Sequence, residues 1–597
     1  MSKLHSFHIP VLGVGFSLDT PIKVAHLGID SVVSLADDTL LEKLRKLYSE
    51  KFELPYQEIE NNFKEFRSER ITSYLNLVND IVNKKVEELK KGALSNLKEI
   101  QSFISELPDS STIKQVVLTF IAENKPLETI KEWLHSNFVK GSIDVNIMTK
   151  VDKANYFKRE KLPTEYNDAH AAIRGYAESD LESSVILSAG LSPRLYSYIS
   201  QFKDFYPDER GYIKKKVVIK VSDFRSALVQ GKFFAKKGIW VSEYRIESGL
   251  NCGGHAFATE GHLLGPILEE FKTKKQDLLD ELNPMISAAL EKEERQVPKN
   301  NLTIKISAQG GVGTSEEHSF LMEHYNVDFI GWGTPFLLVP DVTNVDEKTL
   351  EQLQSAKEED LYLSNISPLG VPFNNLRGNT KDQEKMEVMN GGKVGSTCPK
   401  KYLALNNEFN DKGMCTASRA YLNLKIKELK LGNLSKERYD KAVSKLTEKS
   451  CICVGLGTSV LLNNGLNTKR EGEGVSVCPG PNMAYFSKKM SLRNMVDHIY
   501  GRSNVIERSD RPNMFIKELS LYLEYLKNEI LEGDFNPRKS KRLKSFIINL
   551  NNGISYYQNL FENNIDRFKN EIMSIQASLI KSKTFLAELE LQFEQAN

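Results

Sequence analysis

Seven strand-length apolar runs, separated by stretches of helical pattern, constrain this chain more than any other feature. They are IPVLGVGF (9–16), SIDVNIM (142–148), SSVILSAG (183–190), KVVIKVS (216–222), GIWVSEYRI (238–246), LTIKISAQ (302–309) and NVDFIGWG (326–333). Most end in a Gly, Ser or Thr turn and lead into apolar residues at every third or fourth position. Strand, turn and helix repeated in that order imply parallel strands covered by helices, because a parallel crossover needs a helix-length connection. The predicted fold is therefore α/β, a (β/α)8 TIM barrel. Closure is an inference from the repeat, with LYLSNIS (361–367) as a weak eighth strand.

A chain of 597 residues exceeds what one hydrophobic core organises. The first barrel strand and helix are expected at 1–45. An inserted helical subdomain follows at 46–138, where LEKLRKLYSEKF, ITSYLNLVNDIVNKKVEELKKG and IKQVVLTFIAENKPLETIKEWL carry the helical period. The main barrel takes 139–360, and a Gly-, Asn- and Cys-containing accessory region with little periodicity takes 361–505. Residues 506–597 read as a C-terminal helical bundle whose apolar spacing also suits a homodimer. The formal net charge of +1, from 80 basic and 79 acidic side chains, gives no electrostatic case for nucleic acid or an anionic membrane. The N-terminal residues lack a signal-peptide pattern, and no apolar run is long enough to span a bilayer. A cytoplasmic enzyme is the expectation.

Two glycine corners stand at consecutive strand ends, Gln309-Gly310-Gly311-Val312-Gly313 and Gly331-Trp332-Gly333-Thr334. Glycine lets backbone N–H groups approach an anion without a Cβ in the way, and barrels commonly hold phosphate after their last two strands. One such corner reads as a tight turn; two in succession read as a site. A third strand end carries Cys252-Gly253-Gly254-His255. The paired glycines leave room for a flat ring, and an imidazole there can exchange protons near neutral pH. His262, on the following helical stretch, reads as structural.

In their order, these motifs resemble the nitronate monooxygenase group of FMN barrels. They are also similar to the FMN enoyl reductases of bacterial fatty acid synthesis and of polyunsaturated fatty acid and polyketide synthases. The resemblance covers roughly 7–45 and 140–345. It implies FMN as cofactor, with His255 as catalytic base and Asn146, from Asp144-Val145-Asn146-Ile147 on the family's second strand, touching the flavin. Gly253 and Gly254 would admit the ring, while Gly310, Gly311, Gly331, Trp332, Gly333 and Thr334 would form the phosphate turns. Asn251 departs from the glutamate usual in nitronate monooxygenases, and FATEGHLLGPIL (257–268) is closer to the synthase-type reductases. The implied activity is oxidation of a small acidic-carbon substrate in the manner of a nitronate monooxygenase. The alternatives are NAD(P)H-dependent reduction of an enoyl thioester and a non-catalytic, barrel-based binding protein.

Five of the six cysteines, Cys398, Cys415, Cys451, Cys453 and Cys478, fall late in the chain. With no export signal they are not a disulfide framework. They read either as buried reduced thiols or as ligands for zinc or an iron–sulfur cluster, although Cys451-Ile452-Cys453 is no standard metal spacing.

Overall fold

Eight parallel strands close into a barrel, and the eighth is not the one the sequence suggested. In chain order the strands are β1 (Phe7–Ile9), β2 (Asp30–Ser34), β3 (Ile143–Met148), β4 (Ser183–Ser188), β5 (Lys215–Val221), β6 (Val241–Glu247), β7 (Lys305–Gln309) and β8 (Phe329–Gly331). Each pairs with its successor, and β8 returns to β1 through Phe7 opposite Ile330. The computed structural model describes residues 3–92, 94–188, 190–247, 249–250, 253–256, 260–533 and 535–596. The unforeseen strand is β2: in DSVVS only two residues are aliphatic, so it never shows a strand-length apolar run. The candidate at 361–367 lies outside the barrel. Leu361–Ser364 (β9) pairs antiparallel with Phe373–Leu376 (β10) in a separate hairpin. The first strand also ends earlier than expected, and residues 11–16 form a loop over the barrel mouth.

Period-two alternation decides what faces inward. Val32, Ile186 and Val218 form a small apolar waist with Val11 packed against it. Below the waist the interior is polar and paired. Arg245 holds Glu243 at 2.8 Å, Ser307 donates to the same Glu243 oxygen at 2.5 Å, and Lys3 pairs with Asp30. Above the waist the same alternation brings Ser34, Asn146, Met148, Ser188, Lys220, Glu247 and Gln309 to the C-terminal mouth, the end where barrel enzymes carry their chemistry.

Between β2 and β3 the chain runs through Asp38–Lys51, Phe66–Lys91, Leu97–Glu106, Thr112–Ala122 and Leu127–Asn137. The long helix Phe66–Lys91 packs against Asp168–Ala177 and so belongs to the barrel's outer layer. Arg67 and Arg70 from its first turns both pair with buried Asp38. The accessory region is more helical than its sequence suggests. Its helix Ile452–Asn463 is buried from Ile452 to Leu461, so no polar face breaks its apolar run into a helical period. Met514–Leu531, Pro537–Glu562 and Ile572–Ala596 form a three-helix unit. Its first two helices dock on Leu264–Lys292, where Glu518 accepts the Leu264 N–H at 2.9 Å and the Tyr557 hydroxyl at 3.0 Å. Among the described residues no helix is long and apolar enough to cross a membrane.

Candidate active site at the barrel mouth

A cavity of about 410 Å³ opens at the C-terminal end of the strands, within the range of small-molecule and cofactor sites. Its floor is built from strand ends. Lys220 of β5 pairs with Glu247 of β6 at 2.9 Å, Gln309 of β7 donates to the same carboxylate oxygen, and His8 of β1 meets Gln309 Oε1 at 3.1 Å. Four strands are thus tied across the mouth by one polar chain. The loop at 11–16 and the accessory residues Phe373, Tyr402, Leu403, Ile452, Cys453 and Leu456 complete the walls.

Asn146 lines this cavity from the third strand, not the second. Its side-chain Oδ1 is buried and has no hydrogen-bond partner among the described residues. A carbonyl oxygen in that state is expensive unless something supplies a donor. Gly253, Gly254 and His255 reach the cavity too; Asn251, Cys252 and Phe257 to Thr259 lie outside the described residues.

The two glycines do different work. An ideal Cβ on Gly253 would stand 1.9 Å from the Cys478 carbonyl oxygen, so its bare face is filled by accessory backbone rather than left for a ring. Nothing lies within 4 Å of a Cβ on Gly254, whose face is open. The Gly-Gly-His segment is held from both sides. Gly253 bridges to Pro479 and His255 to Phe373, the Gly254 N–H donates to the Cys478 carbonyl at 3.3 Å, and the Asn374 N–H donates to the Gly254 carbonyl at 2.9 Å.

His255 Nε2 lies 2.7 Å from Ser367 Oγ, and its ring meets Phe373 edge-on with centroids 5.0 Å apart. Burial, with a smaller contribution from Lys150, lowers its pKa to about 4. At neutral pH the side chain is an uncharged imidazole.

The two glycine corners converge. Gly310, Gly311, Gly331, Gly333 and Thr334 surround a second, smaller space, with Gly310 and Gly311 at φ +100° and +84°. That space is about 10 Å³, room for roughly one water. It is closed by Gly480, Pro481 and Asn482 from the accessory region. The Gly480 N–H donates to Thr334 Oγ1 at 2.9 Å, and Asn482 donates to the Gly311 and Val312 carbonyls at 2.7 and 2.9 Å. Nearby, Glu317 accepts the Gly313 N–H, just ahead of helix Ser315–His324, at 2.8 Å and pairs with both terminal nitrogens of Arg511. A phosphate on these corners requires residues 480–482 to give way. Trp332 does not line either space. It is buried, with its indole N–H donated to His318 Nδ1 at 3.0 Å, so its role is packing behind the corner.

The late cysteines divide by their partners. Cys478 and Cys453 both stand in the cavity wall, and burial pushes the Cys478 thiol up to about 12. The four other than Cys478 are buried, free and paired by thiol hydrogen bonds, Cys398 with Cys415 and Cys451 with Cys453. Accepting the bond from Cys453 brings Cys451 down to about 6. Among the described residues, no three His, Cys, Asp or Glu side chains gather as a metal ion requires.

Sequence reading named the corners, the histidine and Cys478 but missed Lys150, Lys220, Ser367 and Phe373, and gave residues 478–482 no place against the corners. Lys220 was within reach, since it occupies an inward position of KVVIKV at a strand end.

No protein-family model matches the chain, and no curated protein matches it. Among solved structures it is similar to the enoyl reductase domain of MlnA from the macrolactin biosynthesis cluster of Bacillus amyloliquefaciens. The match is 15% identical, covers 70% of this chain and 88% of that one, and has a TM-score of 0.31.

Proposed function

We propose that this chain is an FMN-dependent oxidoreductase working at the mouth of its barrel. The observation that carries the reading is the cavity itself, an organic-ligand-sized space bordered by Asn146, whose side-chain carbonyl is buried and unanswered, by an open glycine face at Gly254 and by an adjacent imidazole. These residues fit a flat ring with an N–H to donate. Asn146 would accept from the ring, Gly254 would lie against it, and the backbone of Gly310, Gly311, Gly333 and Thr334 would take the phosphate once residues 480–482 move aside. When bound, FMN supplies hydride transfer, which no side chain can.

The state of His255 selects between substrates. An imidazole whose conjugate acid has a pKa of about 4 is a weak base toward carbon acids, each missing unit opposing proton abstraction by about 1.4 kcal/mol. A neutral imidazole is instead a good hydrogen-bond partner for a carbonyl that gains negative charge. This favours reduction of a conjugated acyl thioester over base-driven oxidation of a nitroalkane. In that reading Ser367 fixes the ring orientation of His255, Lys150 adds positive charge nearby, and the polar chain from Lys220 to His8 keeps the cavity floor rigid. The test is NADPH oxidation by the FMN-loaded chain with a short enoyl thioester, run beside a nitroalkane assay. Thioester-dependent turnover should fall about 10²-fold or more in His255→Ala with FMN retained. Turnover with the nitroalkane alone would reverse the substrate choice, and turnover with neither would remove the enzyme reading.

A further inference from the structure

The last helix, Ile572–Ala596, carries two apolar seams instead of one. The inner seam, Ile575, Leu579, Ser582, Leu586, Leu589 and Phe593, is buried against the rest of the three-helix unit. The outer seam is Met573, Ala577, Ile580, Thr584, Ala587 and Leu591, and every one of these residues is exposed. Met573 is 83% exposed, Ile580 65% and Leu591 58%. Both seams run at alternating spacings of four and three, the repeat with which one helix packs along another. A solvated face has no reason to keep that repeat, and its small residues let a second backbone approach.

The charges beside the outer seam are split along the helix. Lys581 and Lys583 flank its middle, and Glu588 and Glu590 flank it one turn or more further on. Among the described residues no ion pair engages any of these four. We infer that the outer seam is the interface with a second copy of this chain, the two last helices packing antiparallel about a two-fold axis. In the register that places Ile580 against Leu591 and Thr584 against Ala587, the contact runs over residues 580–591 with Met573 and Ala577 beyond it, Lys581 faces Glu588 of the partner subunit and Lys583 faces Glu590 of the partner subunit. A two-fold interface must be complementary to itself, and this one is. Parallel packing would pair only Lys583 with Glu588 of the partner subunit and would set Lys581 and Glu590 against glutamines, so charge favours the antiparallel arrangement, in which all four are paired. The inference is independent of the flavin reading, because the seam lies on an outward face of the terminal unit.

Sedimentation equilibrium of the full chain tests it. The expected mass is that of two chains, falling to one in Ile580→Glu/Leu591→Glu and also in Lys581→Glu/Lys583→Glu. Adding Glu588→Lys/Glu590→Lys to the second variant should restore the dimer by exchanging both signs. Circular dichroism confirms that each variant is folded, as outward positions allow. A monomeric unmodified chain overturns the inference, as does a dimer that survives either the apolar or the charge substitutions.

Discussion

Replacing Asn146 with leucine should move two measurable quantities in opposite directions. The two side chains are similar in size, but leucine has no polar atom to leave unanswered. Asn146 Oδ1 is buried without a partner, a condition that carries a penalty of about 1–3 kcal/mol. Taking the lower end, because Asn146 as a whole is only partly buried, the flavin-free variant should be more stable by about 1 kcal/mol. The same change deletes the acceptor proposed for the flavin ring. Losing one neutral hydrogen bond of about 1 kcal/mol weakens FMN binding about fivefold. Urea unfolding of flavin-free protein gives the first quantity, and quenching of FMN fluorescence on titration gives the second. A variant that gains stability while binding FMN unchanged would place the flavin away from Asn146. A variant that loses stability would mean that the oxygen is already satisfied.

Gly253→Ala should be destabilising and should free residues 478–482, since its methyl group would collide with the Cys478 carbonyl at a φ of +116°; faster amide exchange in that segment reads the effect, and unchanged exchange would contradict the packing described. The fold should also weaken as pH falls from about 6.5 toward 4. His5, His255 and His318 have folded-state pKa values lowered by burial to about 4, and His8 to about 3. The unfolded chain therefore binds protons first, and stability present above pH 6.5 is lost on the way down. A second loss should follow between roughly pH 4.5 and 2 from Glu243. Burial would raise its pKa, but Arg245 foremost, then His8, Ser307 and Lys3, hold it near 2. A stability profile flat from pH 7 to 5 would refute the first window.

The barrel was legible because seven strand-length apolar runs, most of them leading through a turn into a helical pattern, recur along the sequence. Lys216, Val218 and Lys220 on one side of KVVIKV are sufficient to orient β5. The strand that escaped, β2, has only two aliphatic residues among its five and so shows no apolar run, and the false candidate at 361–367 has strand composition without a barrel neighbour. Local glycine patterns located the corners and the strand end bearing His255. What covers them was not legible, because it depends on contacts between distant segments. Ser367 and Phe373 reach His255 from more than a hundred residues away, and nothing in Cys478-Pro479-Gly480-Pro481-Asn482 announces that it seats on Gly253, Thr334 and Gly311. Trp332 misled for a related reason: its neighbours Gly331 and Gly333 face the small space, while its ring turns outward to His318.

The central claim, that the barrel mouth is a flavin site, is tested most directly by titrating the purified full chain with FMN while following flavin fluorescence and absorbance. The prediction is saturable quenching at one flavin per chain with a shifted visible band, abolished by Gly254→Trp, which fills the open glycine face in a chain shown by circular dichroism to be folded. Absence of quenching by the unmodified chain, or binding indifferent to Gly254→Trp, would contradict it.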